Sequence, residues 1–432
     1  MGESGYRAFF HTKHVPQLAL SMVLARLPVG VVTIVLVLFV STRYGATIAG
    51  LCTAGFTIGM ACLAPVFGKF VDKGYGPVTL RILAVVEMVS VLALVALVLA
   101  QTHFMLAVVA SFCCGAFMPP IAGVTRSLWP SMLEMEMIAT AYNFEVLVID
   151  VLYVTGPLLA SVFVAIGAPE AGLIATTAGS LVGTFVLASL EPVKNHAQRN
   201  RARRAQMAGT PDTSTEGNGG ANKAAEPTRV PLLTLAVILL LLAALMRLMF
   251  SGWLETIIPL FYSDAGQAAL GSIAISAWSV GSVLGVVLFH RLQPNPRTIA
   301  PVKQMALFTG VFMVVSLLSG LGVNGFAVMC VLMLLVGAFG APVDNLHYQL
   351  ASTLAPQERQ AEMFSWLNTA SNVGIAGGAF FAGLCADYVD YGIAFFLPSS
   401  CLVLSFAFTA ILVAVRSGHT PRMIRRRGAS QA

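Results

Sequence analysis

Twelve stretches of this sequence run for twenty or more residues with almost no charge: 17–41, 46–67, 78–100, 104–125, 139–166, 170–190, 231–262, 267–289, 302–322, 326–349, 362–386 and 391–415. A helix rises 1.5 Å per residue, so about 20 residues cross roughly 30 Å of hydrocarbon. Helix is the expected form because each segment then satisfies its own backbone polar groups; a barrel would instead show alternating strands of about ten residues. The composition agrees: 57% of the residues are hydrophobic and 10% are charged, with a mean hydropathy of +0.83. Soluble domains carry about 25% charged residues. The expected fold class is an all-α integral membrane protein of twelve transmembrane helices. No cleavable signal peptide is expected, since the first apolar run is too long and lacks a small-residue cleavage end.

Lysine and arginine set the orientation. With the N-terminus inside, the inner segments hold 22 of the 25 basic residues; Arg26 and Arg247 fall within spans, and Arg43 alone lies outside. Both termini are therefore expected in the cytoplasm, in a cell (inner) membrane. The net charge of +6 is then a topology signal and no nucleic-acid partner is expected. The seven cysteines all lie in predicted spans and none has metal-ligand spacing, so they read as small apolar residues and no metal or cofactor is expected.

Residues 191–230 break the pattern. The segment is basic, then rich in Gly, Ser, Thr and Pro, and reads as a disordered cytoplasmic linker. It divides a six-span bundle over 1–190 from a second over 231–416, followed by a basic cytoplasmic tail over 417–432. The halves look like copies. "ARLPVGVVTIVLVLFVSTRYGATIAG" aligns without a gap on "MRLMFSGWLETIIPLFYSDAGQAALG", putting Arg26, Gly45 and Gly50 on Arg247, Gly266 and Gly271, each 221 positions later. "GAFMPP" (115–120) falls on "GAFGAP" (337–342) at an offset of 222. Duplication of a six-span unit points to two bundles flanking a midplane cavity.

The connection between spans two and three, "GKFVDKGYGP" (68–77), supplies the signature. Gly68, Asp72 and Lys73 match the first part of G-x-x-x-D-R/K-x-G-x; Tyr75 stands where its second glycine falls, with Gly74 and Gly76 on either side, and Arg81 follows. With twelve spans, a central linker and the duplication, the whole chain resembles the major facilitator superfamily. The resemblance implies two pseudo-symmetric six-helix bundles. It also implies a cytoplasmic latch in which Asp72 meets the start of span eleven and an arginine near the inner end of span four, where Arg126 stands. There are departures. The second-half loop "FHRLQPNPR" has lost the acid and glycines, Ser111 stands where a drug-antiport arginine is expected, and the span-five antiporter motif survives only as Gly156–Pro157. They weaken the case for drug/proton antiport.

Charges inside the spans, Arg26, Glu87, Glu145, Asp150, Arg247, Glu255 and Asp344, are expected to face partners or an aqueous cavity. Counting from the cytoplasmic ends, Arg26 lies about 14 Å deep, Asp150 about 17 Å and Glu145 about 9 Å. An Arg26–Asp150 pair is therefore expected, with Glu145 the second candidate and the two acids about 140° apart on their helix. Either a static ion pair or a protonatable carboxylate fits. Arg247 has no evident partner, which fits either an anchor for a substrate anion or a partner hidden by the uncertain helix ends. Asp344 and His347, at i and i+3, could form a titrating pair near the inner mouth. Asn368, Ser371 and Asn372 could give a ligand neutral hydrogen bonds, and Trp253, Trp278 and Trp366 could stack on it; helix packing explains them equally well.

The functional expectation is a monomeric secondary active transporter moving a small organic solute by alternating access, coupled to protons and directed outward. Import or facilitative movement on the same fold is the alternative. No nucleotide-binding loop matches. A non-transporting receptor or scaffold is the reading from another class, and an enzyme is not expected because no ligand cluster falls within helix-turn reach.

Overall fold

The computed structural model describes residues 9–208, 234–292, 301–318, 321–322, 325–354 and 360–418. Ten helices are long and apolar enough to cross a membrane, and the shorter apolar helices Val15–Ala25, Val32–Tyr44 and Val302–Leu317 complete the set. Span one is the pair Val15–Ala25 and Val32–Tyr44; span two is Ala46–Phe70, span three Gly76–Leu99, span four the pair Phe104–Ala116 and Ile121–Met132, span five Met135–Ala165 and span six Pro169–Ser189. Spans seven to eleven are Leu235–Asp264, Ala268–Leu292, Pro301–Leu317, Phe326–Leu354 and Gln360–Tyr388. Span twelve comprises Tyr391–Ala394 and Ser399–Gly418. The twelve-span all-α fold follows.

Breaks occur where the sequence forbids a continuous backbone. Pro28 removes a donor and Gly30 turns left-handed at φ 80°, so span one opens over residues 26–31. Pro119 and Pro120 together interrupt span four, whereas its copy keeps one proline, Pro342, and span ten runs through it. The duplication persists in the turns: Gly45 and Gly266 both take left-handed φ, 83° and 71°, between the first two spans of each half.

The packing defines two ends of the molecule. At the end away from the linker, one continuous apolar core takes residues from both halves, including Val35, Phe39 and Phe56 with Phe250, Ile257 and Phe395. Towards the linker, the core divides. One cluster is built around Leu18, Met22, Leu128 and Trp129 of the first half, the other around Leu240, Leu346, Leu350 and Met363 of the second. Among the described residues the apolar core is thus shared by the halves at the far end and divided between them at the linker end.

The linker differs from its sequence expectation over its first part. Glu191–Ala208 is a helix, with Val193 and Ala197 buried one turn apart against the first half. Arg201, a further turn on, donates from Nε to Gly74 O at 2.9 Å and stacks its guanidinium over the Tyr75 ring at 4.8 Å. The i, i+4, i+8 spacing gives one face something to bury, which composition alone does not reveal. Residues 209–230, where the low-complexity stretch lies, the tail beyond 418 and most of the second-half loop are outside the described residues.

Candidate functional site

Two arginine centres, one per half, stand at equivalent positions. In the first, Arg26 caps the end of Val15–Ala25 at the break in span one and is 4% exposed. Its Nη2 donates to Thr125 Oγ1 of span four at 3.2 Å and lies 3.6 Å from Glu145 Oε2 of span five. Glu145, 1% exposed, also accepts from Arg126 Nε at 3.1 Å and from the Trp129 indole Nε1 at 2.8 Å. One buried carboxylate therefore holds two guanidinium groups and an indole. The Arg126 side chain is 60% exposed, so the surplus positive charge of this centre faces the opening.

The sequence pairing of Arg26 with Asp150 is corrected here. Glu145 is the partner, and Asp150 is half-buried with no ion pair among the described residues. The cause is one helical turn. Span five starts at Met135 rather than 139, so Glu145 lies about 15 Å from the helix start, level with Arg26 at about 16 Å from Val15. Asp150 is about 22 Å in and passes beyond reach.

In the second centre, Arg247 of span seven is 2% exposed and does have a partner, which corrects the second expectation. Its Nη2 donates to Asp344 Oδ2 of span ten at 2.9 Å, its Nη1 donates to Ser251 Oγ one turn along, and its guanidinium lies over the Phe312 ring of span nine at 4.7 Å. Span ten continues to Leu354, past the 349 expected, so Asp344 sits two to three turns inside instead of at the mouth. The Asp344 side chain is 36% exposed and its Oδ1 has no hydrogen-bond partner among the described residues. Asp344 does not pair with His347. The latter is buried, with Nδ1 at 2.8 Å from Val343 O and Nε2 unpartnered.

Between the centres, Tyr153 of span five lies within electrostatic reach of Glu255, Asp150 and Tyr348, and Tyr348 within reach of Asp344 and Arg126. Tyr153 and Tyr348 are both 48% exposed. Side chains of spans four and five thus come within electrostatic reach of side chains of spans seven and ten, across the two halves. Of the neutral candidates, Asn368 is exposed, and Asn372 donates from Nδ2 to Asn368 O at 2.9 Å within span eleven. Glu87 lies apart, 4% exposed, receiving Ser180 Oγ at 3.5 Å beside a cavity too small for a solute.

The signature loop is a tight turn, Val71–Tyr75, in which Gly74 takes φ 89°. A Cβ at Gly74 would come within 2.6 Å of Ala197 O, so glycine is required twice, by conformation and by the linker helix lying on it. Gly68 has open space around it, Gly76 begins span three and Lys73 reaches over the Phe70 ring at 5.5 Å. The Asp72 side chain, residues 355–359 and the side chains of 360–362 in the first turn of span eleven are outside what is described, and Arg126 is engaged by Glu145. Trp129, Thr125, Ser251 and Phe312 were not singled out from sequence. Trp129 could have been found, since it stands one turn after Arg126 on the same face.

The fold is shared with solved transporters of low sequence identity. A bacterial homologue of the iron transporter ferroportin, in an inward-facing state, superposes with a TM-score of 0.62 at 15% identity over 92% of this chain and 99% of that one. The nucleoside transporter NupG gives 0.64 at 16% identity over 92% and 98%. The POT family transporter PepTSo gives 0.65 at 12% over 94% and 99%. No curated protein matches the sequence significantly. The family model of the Major Facilitator Superfamily matches residues 18–314, well over half of the chain. With its twelve spans, duplicated halves and signature loop, the protein belongs to the Major Facilitator Superfamily and is a transporter rather than an enzyme.

Proposed function

We propose that this protein carries a small organic solute across the bilayer by alternating access, exporting it in exchange for protons, with both termini in the cytoplasm. What supports the proposal is the pair of arginine–carboxylate centres, one per half, together with an apolar core that both halves share at the far end and that divides, among the described residues, at the linker end, where we place the solute gap. A solute entering that gap meets the exposed Arg126 from one side and Asp344 from the other. Asp344 is the coupling group we favour. One of its oxygens holds Arg247 and the other has no partner among the described residues, so a proton arriving there weakens the pair that spans seven and ten share. Glu145 is a poorer candidate, because two guanidinium groups and the Trp129 indole already occupy its oxygens.

The test is reconstitution into liposomes with an imposed pH gradient and a screen of solutes for gradient-driven movement. Outward transport with proton entry is expected, recorded as a lumenal pH change on solute addition. Asp344→Asn should abolish accumulation driven by the gradient while leaving solute exchange at equal concentrations intact. Gradient-driven accumulation by that variant would remove Asp344 from the coupling role, and proton-independent flux in wild type would leave a facilitative carrier.

A further inference from the structure

At the far end a carboxylate crosses between the halves. Asp387, in the last turn of span eleven, accepts two backbone hydrogen bonds from the start of span two: Ala46 N to Oδ1 at 3.1 Å and Thr47 N to Oδ2 at 2.7 Å. These amides belong to the first turn of a helix, which has no internal partners for them and carries the positive end of the helix dipole. The two carboxylate oxygens thus cap a helix of the opposite half. Gly45 makes the approach open, turning left-handed so that a Cβ there would stand 3.7 Å from each oxygen. One to two turns deeper, Gly50 and Gly383 face each other so closely that a Cβ on Gly50 would meet Gly383 Cα at 3.1 Å. The ion pairs of the two arginine centres each stay within one half; this contact does not.

We propose that Asp387 is the latch that holds the far end closed, and that it must leave the amides of Ala46 and Thr47 whenever the transporter opens on that side. The device has one copy. The matching stretch at the end of span five, 165–167, reads Ala-Ile-Gly, so the span-five and span-eight contact has no equivalent acid. The latch is therefore carried by spans two and eleven. It is also the counterpart, on the opposite face, of the role the signature loop suggests for Asp72: there an acid beside span two addresses span eleven, and here an acid on span eleven addresses span two. The proposal rests on the alternating-access reading but requires no knowledge of solute or ion.

Substituting a helix cap typically costs about 1 kcal/mol, which corresponds to a roughly fivefold shift from closed towards open at the far end. Hydrogen–deuterium exchange on the full chain in lipid nanodiscs reads both ends at once. In Asp387→Ala, peptides covering 45–52 and 379–388 should exchange about fivefold faster. Those at the linker end around Trp129 and Tyr348 should exchange more slowly as that end closes. Asp387→Asn should do the same to a lesser degree, because its amide nitrogen would confront a backbone N–H. If Asp387→Ala fails to fold, Asp387→Asn decides. Faster exchange confined to residues 46–47, or no change at either end, overturns the latch. Since the experiment needs no substrate, paired changes in a protein that moves no solute would keep the latch and remove the transport reading.

Discussion

Replacing Glu145 by Met should destabilise the protein more than replacing either arginine that it binds, and removing Arg26 as well should restore part of the loss. Glu145 is 1% exposed and Arg26 4% exposed, so the single change leaves a buried guanidinium without its counter-charge. Breaking a buried pair from one side costs about 3–5 kcal/mol. The Trp129 N–H also loses its acceptor, a further penalty of about 1–3 kcal/mol. Arg126 adds little, since its exposed side chain can turn to water. Arg26→Met should cost less than about 2 kcal/mol, because Glu145 keeps Arg126 and Trp129. In the double variant the uncompensated charge is gone and mainly the Trp129 penalty remains. It should therefore be more stable than Glu145→Met alone by about 1 kcal/mol or more. Reversible unfolding in mixed micelles, run on wild type, both singles and the double, gives the order: wild type, Arg26→Met, the double, Glu145→Met. A double variant less stable than Glu145→Met refutes the reasoning. Asp150→Asn belongs in the same series, and a loss from it equal to that of Glu145→Met would restore the pairing expected from sequence.

Gly74→Ala should destabilise by about 1–3 kcal/mol, since it adds left-handed strain and a Cβ against Ala197 O, and should lift the linker helix off the loop. Trypsin would then cut after Lys194, Arg199 and Arg201 faster than in wild type, and unchanged cleavage counts against the docking. Arg201→Ala should raise the same cleavage without the backbone strain, leaving the unfolding transition nearly in place. Gly383→Ala puts a Cβ against Ala46 O and should hold the far end apart, so exchange over 45–52 rises while net transport falls. Normal transport by that variant would mean spans two and eleven need not meet.

The misplaced Arg26–Asp150 pair and the overlooked partner of Arg247 have one cause, helix length. Arg26 and Arg247 were visible as buried cations needing partners, and their equivalence at an offset of 221 was visible too. What failed was the register between helices. Four residues of extra helix at the start of span five exchanged Asp150 for Glu145, and five at the end of span ten moved Asp344 from the mouth to the side of Arg247. Hydropathy fixes a span to within a turn or so, while an ion pair closes over 3–4 Å, less than the 5.4 Å pitch.

From its residues alone the chain determines that it crosses a membrane twelve times, that it is a doubled six-span unit and that it resembles one transporter superfamily, because these follow from apolar run length, charge placement and local motifs. The tertiary structure decided which acid neutralises which arginine, that the first part of the linker is a docked helix, and that Asp387 spans the two halves. Each of these depends on groups distant in sequence, as far apart as Thr47 and Asp387, and on the axial register of neighbouring helices. The pattern of a single segment carries no information about that register.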